Sequence, residues 1–170
     1  MDSLKLLIDR LSQYNFLTNI LPGSVLCVVL KYMVGYDLFV TGDWYQMGVI
    51  FYFVGMVNNR FGSIIVEWVL KKTSFVTFAT YDSFVLAEKN DDKISILNME
   101  NNIFRSYISV CILSLLTFIF KCIESNFVWI NELRYIFLLI ALLVLFLFSY
   151  RKQTSYVLKR IEVNTKRMMY

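Results

Sequence analysis

Residues 44–72 read WYQMGVIFYFVGMVNNRFGSIIVEWVLKK, and this stretch decides between a membrane protein and a soluble one. Most of it is apolar enough to cross a bilayer, yet Asn58, Asn59 and Arg60 interrupt it and Glu67 follows. A charged side chain facing lipid is unfavourable by about 2.5–3.5 kcal/mol at the bilayer centre and by less near the edge. We therefore predict a span that presents these polar groups to protein or to water near the inner surface.

The composition favours a membrane protein over a soluble domain. The chain has 170 residues, of which 58% are hydrophobic and 18% charged, and its mean hydropathy is +0.57. Soluble domains average about 45–50% apolar and about 25% charged residues. The apolar excess is concentrated in four runs, at 21–40, 44–66, 107–123 and 133–150. Since about 20 helical residues cross a bilayer, we predict an all-α membrane protein with four transmembrane helices per subunit.

The chain is predicted to contain five segments. These are an N-terminal amphipathic helix in 1–20, transmembrane helices 1 and 2 in 21–70, a cytoplasmic loop subdomain in 71–106, transmembrane helices 3 and 4 in 107–150, and a basic cytoplasmic helical tail in 151–170. The N-terminal helix has one apolar face, which fits either the inner leaflet or the cytoplasmic subdomain. The loop is too polar to span a membrane and is predicted to be mostly helical, although its first part also fits a strand.

The distribution of basic residues predicts the orientation. With the N-terminus inside, fourteen of the seventeen Lys and Arg residues fall in inner segments. The outer side holds Lys121 and Arg134, and Lys31 lies within a span. Because inner loops are enriched in positive charge, we predict a multi-pass membrane protein with both termini in the cytoplasm; the resemblance described below implies that the membrane is the bacterial inner membrane.

The second span carries one small and polar face. Gly48, Gly55 and Gly62 recur every seven residues, and Asn59 and Glu67 continue the same face. Small residues let helices approach closely, and asparagine can hydrogen-bond across an interface. This face therefore predicts helix packing, either within one subunit or between subunits.

Two charged residues in the spans allow more than one interpretation. Arg60 either shares a wet inner vestibule with Glu67 or extends to lipid headgroups. Lys31 either lines a pore, pairs with Glu67 or with Asp37 of a neighbouring subunit, or lies near an interface because its span is short or tilted. The candidate pore or helix-interface residues are Lys31, Gly48, Gly55, Asn58, Asn59, Arg60, Gly62 and Glu67.

The C-terminal tail carries basic pairs at intervals of seven or eight residues, which places them on one face of a helix. Such a face can bind anionic lipid headgroups, at about 1 kcal/mol per charge, or the phosphates of a nucleotide or nucleic acid. Both ligands remain open from the sequence. The candidate anion-binding residues are Arg151, Lys152, Lys159, Arg160, Lys166 and Arg167.

The sequence carries no recognisable catalytic or metal-binding motif. It has no histidine, and its three cysteines, Cys27, Cys111 and Cys122, lack the spacing of a zinc site. No glycine-rich phosphate loop or nucleophile–base pair occurs either. We therefore predict a protein that is not an enzyme and holds no metal or cofactor. A chain with only four spans needs copies of itself to enclose a pathway, so we expect a homo-oligomer, with a tetramer favoured.

Three segments carry a resemblance to a known group of proteins. They are NNRFGSIIVE at 58–67, YDSFVLAEK at 81–89 and NNIFRSY at 101–107. With the four-span layout, they resemble small membrane effectors of bacterial antiphage defence operons, of the type found in the Hailong system. The resemblance implies an oligomeric inner-membrane channel, gated by a nucleotide or single-stranded DNA oligomer that a nucleotidyltransferase partner makes. Its opening would depolarise the infected cell.

The alternative function is a non-conducting membrane adaptor that recruits a cytoplasmic partner. An adaptor needs only the cytoplasmic loop and tail. A channel needs Lys31, Asn59 or Arg60 to face a common axis.

Overall fold

The computed structural model of this protein describes residues 13–39 and 43–168, without the side chains of 128, 129, 131 and 166–168. Residues 1–12 of the predicted amphipathic helix lie outside this description. The described residues form helices and no strand. The helices are α1 (Gln13–Val34), α2 (Trp44–Lys72), α3 (Tyr81–Asn90), α4 (Asp92–Asn126) and α5 (Val128–Met168).

Local side-chain chemistry explains several helix ends. The carboxylates of Asp43 and Asp91 accept hydrogen bonds from backbone N–H groups at the starts of α2 and α4, and Thr80 does the same for α3. These are the residue types that best satisfy the free N–H groups of a first turn. Gly35 ends α1 with a φ of 84°, a left-handed conformation that glycine adopts without strain.

Four of the helices, α1, α2, α4 and α5, are long and apolar enough to cross a membrane, so the chain is a multi-pass membrane protein. At 1.5 Å per residue, α4 extends about 52 Å and α5 about 60 Å. Both exceed the hydrocarbon thickness of about 30 Å. The N-terminal part of α4 and the C-terminal part of α5 therefore project from the same end of the bundle, which we call the basic end.

Helix α3 lies at this basic end and packs against the projecting part of α5. The Tyr81 and Tyr156 rings stack with their centroids 5.6 Å apart. Arg160 forms an ion pair with Glu88 at 3.4 Å. The loop subdomain expected between spans two and three is thus built from α3, the start of α4 and the end of α5.

The interior of the bundle lies between α1, α2 and α4. Leu26, Leu30 and Val34 of α1 pack with Val110 of α4 in an apolar cluster, against which Val54 of α2 also packs. Helix α5 lies outside this core. Only 6% of its most apolar window is buried by the described chain, compared with 44% for α1. The remaining face of α5 must therefore be covered by lipid or by another polypeptide.

Candidate functional site: a basic cavity at one end of the bundle

One buried carboxylate joins three cations at the basic end. Glu67 is 8% exposed and pairs with Lys71 at 2.7 Å, Arg105 at 3.0 Å and Lys152 at 3.1 Å. The Lys152 ammonium also donates to the Ser63 hydroxyl at 2.9 Å. Since Arg105 belongs to α4 and Lys152 to α5, this Glu67 cluster of one carboxylate and three cations connects three spans.

The Glu67 cluster has a positive balance because three cations share a single carboxylate. Burying a charge is unfavourable unless it is paired and hydrogen-bonded. The Glu67 carboxylate meets that condition, because all three cations bind it. The three cations together have only this one carboxylate, so an excess of positive charge remains. A second anion is therefore electrostatically favoured beside the cluster.

The cluster forms one wall of a cavity of about 820 Å³, which we call the basic cavity. Its volume lies within the range of about 300–1,000 Å³ typical of small-molecule sites. The lining includes aromatic rings such as Tyr81, Phe84 and Tyr156, and the amides of Asn98 and Asn101. Its charged lining residues are Arg60, Lys71, Arg105, Lys152, Lys159 and Glu67.

Two of the basic side chains in this cavity are not engaged elsewhere. Arg60 is half-buried, Lys159 is exposed, and within residues 13–39 and 43–168 neither side chain has an ion pair or hydrogen bond. Arg60 and Glu67 line the same cavity, which is the vestibule arrangement considered from the sequence. The cavity therefore offers an unpaired guanidinium and an unpaired ammonium beside the Glu67 cluster.

Asn59 packs between helices instead of lining the basic cavity. Its amide donates to the Asn19 side chain of α1 at 3.0 Å, and its carbonyl oxygen accepts from Arg105 at 3.2 Å. Asn59 thereby links α1, α2 and α4. This is the interhelical role that the small and polar face of the second span predicts.

Asn58 lies deeper in the bundle, about 13 Å from Glu67 along α2. Its amide donates to the Ser106 carbonyl at 3.0 Å, and the Ser109 hydroxyl donates to the Asn58 carbonyl at 2.8 Å. All three residues are 0% exposed, and we call them the polar seam. The Asn58 side-chain oxygen and the Ser106 hydroxyl have no hydrogen-bond partner in the described chain.

A second charged cluster closes the opposite end of the bundle. Glu124 is 5% exposed and pairs with Lys121 at 2.8 Å and Arg134 at 3.3 Å, while the Tyr36 hydroxyl donates to it at 2.9 Å. Burial, together with the Glu124 carboxylate, raises the pKa of Tyr36 to about 12. We call these four residues the Glu124 cluster.

The distance between the two clusters matches a membrane. Arg105 and Glu124 lie about 28 Å apart along α4, and Arg134 and Lys152 lie about 27 Å apart along α5. The hydrocarbon core of a bilayer is about 30 Å thick. The Glu67 and Glu124 clusters therefore mark the two boundaries of the apolar region.

Lys31 belongs to the end of the bundle that holds the Glu124 cluster. It pairs with Asp37 of its own chain at 3.1 Å and lies 4.8 Å from the centre of the Phe39 ring. The backbone N–H of Phe39, followed by Lys31, holds the pKa of Asp37 below its usual range. Pairing of Lys31 with Glu67 does not occur in this chain, because the two residues lie at opposite ends of the bundle.

The three glycines of the second span differ in their surroundings. A Cβ added at Gly55 would overlap the backbone of Asn19, and one added at Gly62 would lie 3.2 Å from the Ser109 side chain. A Cβ added at Gly48 meets nothing within 4 Å. Gly55 and Gly62 therefore lie at contacts between helices, whereas Gly48 faces outward from this chain.

The basic side chains of the tail differ in their partners. Lys152 turns towards Glu67, and Arg160 turns towards Glu88. Arg151 and Lys159 are exposed. The side chains of Lys166 and Arg167 lie outside the described part. Lys152 and Arg160 are thus engaged by carboxylates of the same chain, while Arg151, Lys152 and Lys159 lie along one groove.

Several residues of the site were not predicted from the sequence, namely Asn19, Arg105, Ser106, Ser109 and Tyr156. Arg105 and Ser106 lie just before the third apolar run and Ser109 lies near its start, at spacings that fall on one side of a helix. That periodicity was the available signal for a polar face on α4. Nothing in the sequence indicated that the face meets Asn58 and Glu67, because pairing between distant segments depends on the packing of the helices.

No protein-family model, curated protein or solved structure matches this chain. Among the residues that the structure describes, no group of three or more metal-ligating side chains comes together.

Proposed function

We propose that this chain is the subunit of an oligomeric inner-membrane channel, an effector of antiphage defence, that opens when a phosphate-bearing ligand occupies the basic cavity. The ligand is a nucleotide or a single-stranded DNA oligomer supplied by a nucleotidyltransferase partner. Channel opening depolarises the membrane. The defence role and the partner rest on the resemblance of residues 58–67, 81–89 and 101–107 to Hailong-type effectors.

The observation that carries the proposal is the charge of the basic cavity. Five basic side chains and one carboxylate line it. Guanidinium groups bind phosphate through paired hydrogen bonds. Arg60 can bind it without first breaking an ion pair or a hydrogen bond to another described residue. The aromatic rings of Tyr81, Phe84 and Tyr156 supply surfaces on which nucleic-acid bases stack.

Ligand binding in this cavity is coupled to the positions of the helices. A phosphate that approaches Lys152 and Arg105 competes with Glu67 for their hydrogen bonds. Those same bonds join α4 and α5 to α2. A ligand that weakens them therefore changes the relative stability of two helix arrangements, which is the requirement for a ligand-controlled channel.

Two further features support a cytoplasmic cavity in an oligomer. The excess of Lys and Arg at the basic end favours the cytoplasmic side of the membrane. The large exposed face of α5, with side chains such as Leu143 and Leu147 each 60% exposed, provides a surface for lipid or for other subunits. A tetramer is the assembly that we favour.

We expect Arg60→Ala to weaken binding of a fluorescent single-stranded DNA oligomer to the purified protein by about 10–100-fold, because a hydrogen bond to a charged group contributes about 1.5–3 kcal/mol. The Arg60 side chain has no ion pair or hydrogen bond with another described residue, so the free energy of unfolding should change by less than about 0.5 kcal/mol. Fluorescence anisotropy and unfolding in detergent micelles measure the two quantities.

The matched control is Lys93→Ala, which removes an exposed cation of α4 that does not line the basic cavity. Its oligomer affinity should remain within about twofold of wild type at fixed salt. Equal losses in the two variants would show that the oligomer responds only to overall charge. That result would contradict binding in the basic cavity.

A non-conducting adaptor is the second candidate function. It is favoured by exposed apolar side chains at the basic end, such as Phe75 at 79% and Phe104 at 66% exposure, which a cytoplasmic partner would cover. The double variant Asn59→Leu/Arg60→Leu separates the two functions. A channel should lose or alter its conductance, whereas an adaptor should keep its partner binding.

A further inference from the structure

The interior between α1, α2 and α4 contains polar and apolar layers in a definite order. The basic cavity comes first, and its lining residue Arg105 is followed along α4 by Ser106 and Ser109, which form the polar seam with Asn58. Next comes an apolar plug, defined as Leu26, Leu30, Val34 and Val110. The Glu124 cluster, which includes Tyr36 beside the plug, lies at the far end.

The polar seam has unsatisfied hydrogen-bonding capacity. The Asn58 side-chain oxygen and the Ser106 hydroxyl of the seam, and the Arg105 Nε–H beside it, are buried and have no partner in the described chain. Buried polar groups in proteins are almost always satisfied, often by internal water, and the need is greater inside a bilayer. A water can accept from Arg105 or Ser106 and donate to Asn58. The seam therefore has the chemistry to hold water inside the bundle, beyond the basic cavity.

The apolar plug interrupts this polar route. Its members are 4–9% exposed and pack directly against one another. Water leaves a narrow passage that is lined only by aliphatic side chains, and such a constriction blocks ions by dewetting. On its far side, the charged groups of the Glu124 cluster again provide a polar environment.

We propose that ions cross through the interior of each chain, between α1, α2 and α4, and that the apolar plug is the gate. This inference rests on the proposed channel function and specifies its route. It departs from the expectation that copies of the chain enclose the pathway between them, because each subunit of the oligomer then contains its own route. The alternative route is an axis between copies. The polar seam is unsuited to that axis, because Asn58, Ser106 and Ser109 are 0% exposed on the chain.

The first test replaces the gate with a polar side chain. In planar bilayers, Leu30→Ser should raise the open probability without any DNA oligomer at least tenfold above wild type, since a hydroxyl stabilises water in the plug. The control is Leu147→Ser on the outer face of α5, where the side chain is 60% exposed. This control should keep the wild-type open probability.

The second test measures water access to the plug directly. Val110→Cys is made in a background in which Cys27 is replaced by alanine and Cys111 and Cys122 by serine. A charged methanethiosulfonate reagent should modify Cys at 110 when the DNA oligomer opens the channel, and at least tenfold more slowly without it. Leu116→Cys, at an apolar site of α4 that is 47% exposed on the chain and lies within its apolar run, is the control and should react slowly in both conditions.

The outcomes separate the route from the channel function itself. If wild-type currents respond to the oligomer while Leu30→Ser behaves like Leu147→Ser and position 110 stays unmodified, the route is wrong and the channel function stands. If neither wild type nor Leu30→Ser conducts at verified incorporation, the channel function fails and the route fails with it.

Discussion

Gly55→Ala is expected to destabilise the folded bundle by about 3 kcal/mol or more, because its Cβ would overlap the Asn19 backbone. The close approach is mutual, since a Cβ at Gly23 would overlap the Phe51 carbonyl of α2. Relief requires α1 and α2 to separate, which also breaks the bond between Asn19 and Asn59. Unfolding of the purified variant in detergent micelles measures the effect.

Gly48→Ala is the matched control on the same helix. A Cβ at Gly48 meets nothing within 4 Å, and alanine is favoured over glycine inside a helix by up to about 1 kcal/mol. The free energy of unfolding should therefore stay the same or rise slightly. Equal destabilisation by both substitutions would contradict the contact between Gly55 and α1 and would point to a general requirement for glycine in the second span.

Glu67→Gln is expected to lower the free energy of unfolding by about 3–5 kcal/mol, because removing one partner of a buried ion pair leaves the other uncompensated. Here the carboxylate is shared by Lys71, Arg105 and Lys152, so one change affects α2, α4 and α5 together. Thermal unfolding in detergent micelles is the measurement. Glutamine keeps the shape of the side chain, so the loss reports on charge.

The control for this change is Glu100→Gln. Glu100 is an exposed carboxylate of α4 with no ion pair or hydrogen bond from its side chain in the described chain. Its neutralisation should alter stability by less than about 0.5 kcal/mol. If Glu67→Gln has the stability of wild type, the ion pairs of Glu67 with the three cations do not stabilise the fold. That result would contradict the conclusion that the Glu67 cluster connects the spans.

The fold class was predictable because it depends on features that are local in sequence. Apolar runs of sufficient length give membrane helices whatever their partners, and Asp43 and Asp91 cap helices within a few residues of themselves. The helical tail predicted for 151–170 continues the fourth span in one helix as far as Met168.

The candidate site was predictable only in part, because it depends on which helices meet. The polar positions Asn59, Arg60 and Glu67 stood out in an apolar stretch, and Lys152 stood out in the tail. Their partners did not, since the pairing of Glu67 with Arg105 joins segments far apart in the chain. Lys31 was equally conspicuous as a charge within an apolar run. The chain turns at Gly35, so that Asp37 pairs with Lys31 of the same chain. No local sequence pattern indicates this ion pair.

Single-channel recording tests the central claim most directly. Purified wild-type protein is incorporated in a planar bilayer, and a short single-stranded DNA oligomer is added first to one side and then to the other. Our account predicts discrete conductance steps that the oligomer shifts from one side only, with the response lost in Arg60→Ala and kept in Lys93→Ala. A silent bilayer at verified incorporation, or steps that ignore the oligomer on both sides, would contradict it.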